Sequence, residues 1–188
     1  MQDTNSPPPA PAPDKVFLFS GHMIDRPDRA EPRFPADKES IAAARIAQAL
    51  DNLGAGPGDL AFAQGAAGGD ILFAEACLAR GLTFQMLLPF PEAEFIAASV
   101  LPSANGEAWH QRYLNLRQRL KLPARILPDD VEVLHSAEDG RPLEKHDQLD
   151  PYARCNLWLL NSALSRGLSR LRFICLWNGG GGDGPGGT

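Results

Sequence analysis

Two short stretches carry the residue types that could do chemistry. The first, GAAGGD at 65–70, follows an apolar run and opens onto a helical pattern. Gly65, Gly68 and Gly69 lack a Cβ, so a turn there can take left-handed angles and let another group approach its backbone. A helix beginning at or just after Gly69 presents free N–H groups and the positive end of its dipole, which suits a phosphate. Close helix–sheet packing is the competing use of such small residues. Asp70 reads two ways. As an N-cap its carboxylate accepts from the next turn's N–H groups. Beside a bound nucleotide it accepts from ribose hydroxyls, because it repels a phosphate placed directly against it. The second stretch, SGHMIDRPDRAEPRFP at 20–35, sets Ser20 and Gly21 at a strand end, with His22, Asp25, Arg26, Arg29 and Arg33 beyond. Arginine offers a planar fork for phosphate or carboxylate. Glu75, one and a half turns after Asp70, faces the sheet edge or solvent, with solvent preferred.

Other chemistries find no pattern. The glycine spacing is not G-x-G-x-x-G, and no Lys-Ser/Thr pair follows as in a P-loop. Cys77, Cys155 and Cys175 lie far apart in apolar segments, so they read as buried structural thiols rather than metal ligands or a disulfide framework. His110, His135 and His146 are scattered, and the carboxylates of 129–130 and 138–150 read as solvated loop charge. No metal site, cofactor or nucleophile elbow is expected.

The elements that must position these residues alternate in type. Val16–Phe19, Leu60–Ala63 and Phe84–Leu88 are short apolar runs of the kind buried on both faces of a parallel sheet. Leu171–Trp177 is a further strand, and 124–127 and 131–135 are weaker candidates. Between them, Ala42, Ile46, Ala49, Leu50 and Leu53 line one helical face, capped by Asp37 or Ser40 and stopped by Gly54. Asp70–Arg80 is a second helix, 91–120 is helical with a break near PSANG, and 152–166 is a helix with Leu157, Leu160 and Leu164 at helical spacing. Such alternation predicts an α/β fold, a Rossmann-like three-layer α/β/α sandwich with a mainly parallel sheet. Open sheets of this kind bind ligands at the carboxyl ends of their strands. SGHMID, GAAGGD and the terminal GGGGDGPGGT, all glycine-bearing strand exits, should therefore converge on one edge.

Composition bounds the partners. The chain has 188 residues and a formal net charge of −5, which argues against a phosphodiester-tracking surface. Residues 1–15 form a proline-rich leader without signal-peptide character, and 16–188 read as a single domain. No stretch is long enough to span a membrane, and the expected location is the cytoplasm.

The strand end FSGHMID, the strand–loop–helix QGAAGGDILFAEACLARGL and the terminal ICLWNGGGGDGPGGT together resemble the SLOG superfamily of Rossmann-like domains. That superfamily includes the LOG phosphoribohydrolases, DprA and the sensing regions of TRPM channels. The resemblance implies a pocket for a nucleotide or nucleotide-derived ligand such as AMP, ADP-ribose, NAD or a cyclic relative. It extends the ligand-binding set to Gly184, Gly186, Gly187 and Thr188. In the LOG enzymes a PGGxGTxxE motif holds phosphate and supplies a catalytic glutamate. Here only PGGT, Pro185 to Thr188, matches, so the chain is expected to be truncated after its last glycine-rich loop. The resemblance implies a sensor-type domain that acts with a fused or partner effector or as a homo-oligomer. Its alternative is a nucleoside 5′-monophosphate phosphoribohydrolase, with Glu75 and Arg33 as catalytic residues. Single-stranded DNA binding in the manner of DprA is disfavoured by the acidic balance.

Overall fold

The structure, a computed structural model, describes residues 12–128 and 150–180. Five strands, β1 (Val16–Gly21), β2 (Leu60–Ala63), β3 (Thr83–Leu88), β4 (Arg125–Ile126) and β5 (Leu171–Leu176), form one parallel sheet in the order β4-β3-β2-β1-β5. The expected strand at 131–135 and the terminal loop from 181 lie outside the described residues.

The central strands β1, β2 and β3 are mostly apolar because both of their faces are covered. Phe17, Phe19, Ala61, Ala63, Phe84 and Met86 face a core built with α1 (Glu39–Asn52), α2 (Gly69–Ala79) and α4 (Gly106–Arg119). Their neighbours Val16, Leu18, Leu60 and Phe62 face Cys155, Leu159 and Ala163 of α5 (Pro151–Leu164). The alternation follows the two-residue period of a strand. Phe19 stacks on Phe73 of α2 with centroids 4.8 Å apart, at the centre of the first core. From β1 to β4 the chain steps one way across the sheet. From β4 to β5 it crosses back, and right-handed crossovers then require α5 on the opposite face. The order reverses between β1 and β5, so a switch point lies at their carboxyl ends.

The helix break expected near PSANG separates α3 (Glu92–Ser99) from α4. Three expectations need correction. Neither Asp37 nor Ser40 caps α1. The chain enters through a 3-10 turn at Ala36–Lys38 after Pro35, and Lys38 holds the cap position without a side-chain bond. The inward face of α5 is Cys155, Leu159 and Ala163, while Leu157 and Leu160 are exposed. Trp158 lies beneath the Arg125 guanidinium, on the flank toward β4. Cys77 and Cys155 are buried thiols, but Cys175 on the edge strand β5 is exposed.

Candidate functional site

A cleft of about 480 Å³ opens at the carboxyl edge of the sheet, beside the switch point. Four segments line it: β1 with its following loop, the β2–α2 turn, the end of α3 and the start of α5.

The loop after β1 is long and polar, yet it is closed by one carboxylate. Asp25 Oδ2 accepts the N–H groups of Arg33 and Phe34, each at 2.9 Å. Asp25 Oδ1 lies 3.4 Å from Arg29 Nε, and the Asp25 carbonyl accepts the Ala104 N–H. Ile24 and Phe34 are buried beneath. The loop thereby presents Arg26, Arg29 and Arg33 along one side of the cleft. Arg26 is exposed on the rim and makes no ion pair with any described residue.

His22 stands at the switch point itself. Arg33 Nη2 lies 2.9 Å from its Nδ1, and Asn178 Oδ1, just past β5, lies 3.2 Å from Nε2. Because a guanidinium only donates, Nδ1 is the acceptor, while Nε2 faces Asn178, whose Oδ1 and backbone N–H lie 3.2 and 3.3 Å from it. Burial, and then the Arg33 charge, hold the imidazole below its ordinary 6.5. His22 is therefore a neutral clamp between the two strand ends at physiological pH.

The β2–α2 turn shows what its small residues do. Gly65 and Gly68 have φ of +127° and +105°. A Cβ on Gly68 would lie 2.6 Å from the Ile24 nitrogen, and one on Gly69 would meet the Phe19 ring at 3.0 Å. Met23 and Gly68 form a backbone bridge, Ile24 N–H donates to the Ala67 carbonyl and Gly69 N–H to the His22 carbonyl. The close approach served here is that of the β1 loop. That loop's own carbonyl takes a helix-start N–H at Gly69. Gly21 is packed the same way, against Phe19 and Leu176.

Asp70 does not cap the helix. It sits in the first turn of α2 and reaches back, its Oδ2 accepting the N–H groups of Gly65 and Ala66 at 3.1 Å each. The residue is 8% exposed and lines the cleft. Its Oδ1 accepts no hydrogen bond from any described residue. Burial, only partly opposed by the two N–H donors, raises its pKa to about 6. The turn's N–H groups are thus spent on an internal carboxylate, and the carboxylate's second oxygen is offered to the cleft.

Ser20 also lines the cleft, on the α5-facing side of β1. Its hydroxyl makes no hydrogen bond with any described residue. Polar residues that sequence reasoning missed complete the floor. Gln64 Nε2 donates to Asn156 Oδ1 at 2.8 Å, and Ser99 Oγ lies 2.8 Å from the Tyr152 hydroxyl. Their signal was slight: a lone amide after β2, and a tyrosine and an asparagine interrupting the apolar pattern of α5.

The structure therefore brings together Ser20, Gly21, His22, Arg33 and Asp70. Gly65, Gly68 and Gly69 support them from behind. It does not bring Glu75 to the cleft: Arg112 of α4 holds both Glu75 oxygens, at 3.0 and 2.6 Å, and reaches Glu39 of α1 at 2.7 Å. Gly184, Gly186, Gly187 and Thr188 lie outside the described residues. Among the described residues no group of His, Cys, Asp and Glu could hold a metal ion, and no helix is long and apolar enough to cross a membrane.

Fold and cleft together define a Rossmann-like α/β domain with a mixed-charge polar site at its switch point. No protein-family model matches the sequence, and no curated protein is significantly similar to it.

Proposed function

We propose that this cleft binds a nucleotide or nucleotide-derived small molecule, and that the domain is a sensor of the SLOG kind working with a fused or partner effector. The observation that carries this reading is the pairing, in one cleft, of three arginines with a buried carboxylate that keeps one oxygen open. The arginines suit an anionic group, with Arg26 exposed on the rim and not ion-paired to any described residue. The carboxylate suits an uncharged donor elsewhere on the same ligand. A cleft of about 480 Å³ accommodates a mononucleotide and part of a larger conjugate. The hydrolase alternative draws no support from Glu75, whose oxygens are held on the outer side of α2.

Thermal unfolding against AMP, ADP-ribose, NAD, cyclic ADP-ribose and cyclic dinucleotides tests the reading. A ligand at about a hundredfold over its dissociation constant stabilises by roughly 2.7 kcal/mol, a rise of about 5–10 °C for a domain of this size. Arg26→Ala should weaken the response of whichever ligand gives it, without changing the stability of the free protein. A flat panel overturns the reading.

A further inference from the structure

We propose that Asp70 is a ribose-reading residue, so that the cleft selects ribonucleotides with a free cis-diol over their deoxy counterparts. The inference rests on the nucleotide reading above and adds the part of the ligand that Asp70 recognises. Three observations lead to it.

The Asp70 carboxylate is nine-tenths buried, and its two oxygens have different work. Oδ2 is saturated by the Gly65 and Ala66 N–H groups, whereas Oδ1 has no protein donor and faces the cleft. An open carboxylate oxygen on an otherwise buried side chain is an acceptor that a ligand's donor can take in place of solvent. The donor is constrained in charge. Arg29 and Arg33 line the same cleft and repel an ammonium, which leaves a neutral hydroxyl or amine.

The surroundings favour a hydroxyl pair. Ser20 projects on the α5 side of the sheet at the end of β1, and Asp70 lines the same cleft from the start of α2. A carboxylate oxygen that only accepts, in one cleft with a hydroxyl that both donates and accepts, suits a ligand bearing two sugar hydroxyls. A planar base edge would need donors and acceptors in its own plane. The Gln64 and Asn156 amides share one hydrogen bond, which takes a donor of the first and the oxygen of the second. The phosphate then lies toward Arg26, away from the carboxylate that would repel it.

The test compares AMP, 2′-deoxy-AMP, 3′-deoxy-AMP and IMP on the wild-type chain by calorimetric titration. We expect AMP and IMP to bind alike and one or both deoxy forms about ten- to a hundredfold more weakly, the usual range for loss of a bond to a charged group. In Asp70→Asn the amide oxygen keeps the Gly65 and Ala66 bonds. AMP affinity should fall toward that of the deoxy forms, whose own affinity changes little. Equal binding of AMP and both deoxy forms by the wild type overturns the inference and leaves the nucleotide reading standing. So does a loss confined to IMP, which makes the base amine the donor. No binding by any of the four overturns the inference, while the nucleotide reading is decided by the wider thermal panel. The wild-type ratio requires no variant, so the result holds even where Asp70→Asn folds poorly.

Discussion

A carboxylate kept for recognition should be visible as a cost to the fold, and Asp70 lets that cost be measured. Burial raises its pKa from 3.8 to about 6. Between roughly pH 4 and 6 the native state holds a proton that the unfolded chain has already released. Stability therefore falls as pH rises across that window and is flat above it with respect to this group. At 1.36 kcal/mol for each tenfold change in proton affinity, ionised Asp70 costs about 3 kcal/mol at pH 7.5. Its Oδ1 faces the cleft, where water softens the penalty, so about 2–3 kcal/mol is the working figure.

Asp70→Asn keeps an oxygen for the Gly65 and Ala66 donors and removes the charge. The variant should be more stable than wild type at pH 7.5, by about 4–10 °C in midpoint for a chain of this length. The gain should shrink to nothing near pH 4, where both side chains are neutral. Thermal melts of the two proteins from pH 4 to 8 give the difference directly. His22 acts in the opposite direction. Its folded pKa lies below the unfolded value, so its stabilisation is lost as pH falls through and below 6.5. Because His22 is present in both proteins, its contribution cancels. A variant less stable at pH 7.5, or a gain of equal size at pH 4, refutes the reasoning. A stability gain accompanied by loss of ribose discrimination would place Asp70 among residues retained at the expense of the fold.

Three further outcomes are expected. Gly68→Ala puts a Cβ 2.6 Å from the Ile24 nitrogen at a φ of +105°, and should lower stability by about 2–5 kcal/mol in denaturant titration; a change under 1 kcal/mol would contradict the packing role of this glycine. The His22 ring should titrate below 6.5 by NMR, and Arg33→Ala should raise its midpoint only in part, because burial is the larger cause. Glu75→Gln should loosen the link to Arg112, costing about 0.5–1.5 kcal/mol, yet leave any ligand-induced rise in melting temperature unchanged; loss of the ligand response would return Glu75 to the site.

Much of the fold was legible because its signals are one-dimensional. Val16–Phe19 and Leu60–Ala63 are unbroken apolar runs, and a strand buried on both faces has no other way to be written. Gly54 and Gly81 mark helix ends at positive φ, which the sequence states outright. What escaped depends on neighbours. On α5 the leucines at 157, 160 and 164 outrank Cys155 and Ala163 in hydrophobicity, but a helix lying close on the sheet needs small residues at the contact, and the helix stands mainly over β1, β2 and β3. The same reason explains the glycine turn. GAAGGD looks alike whether a phosphate or another peptide comes close, and only the position of Ile24 and Met23 decides that the β1 loop is what it admits. Once that loop occupies the space, Asp70 changes meaning. The turn's N–H groups at 65 and 66 close onto its carboxylate, so the anion at this helix start is built into the chain. A ligand's phosphate is then better met by the arginines across the cleft, leaving the helix start to recognise what donates rather than what is charged.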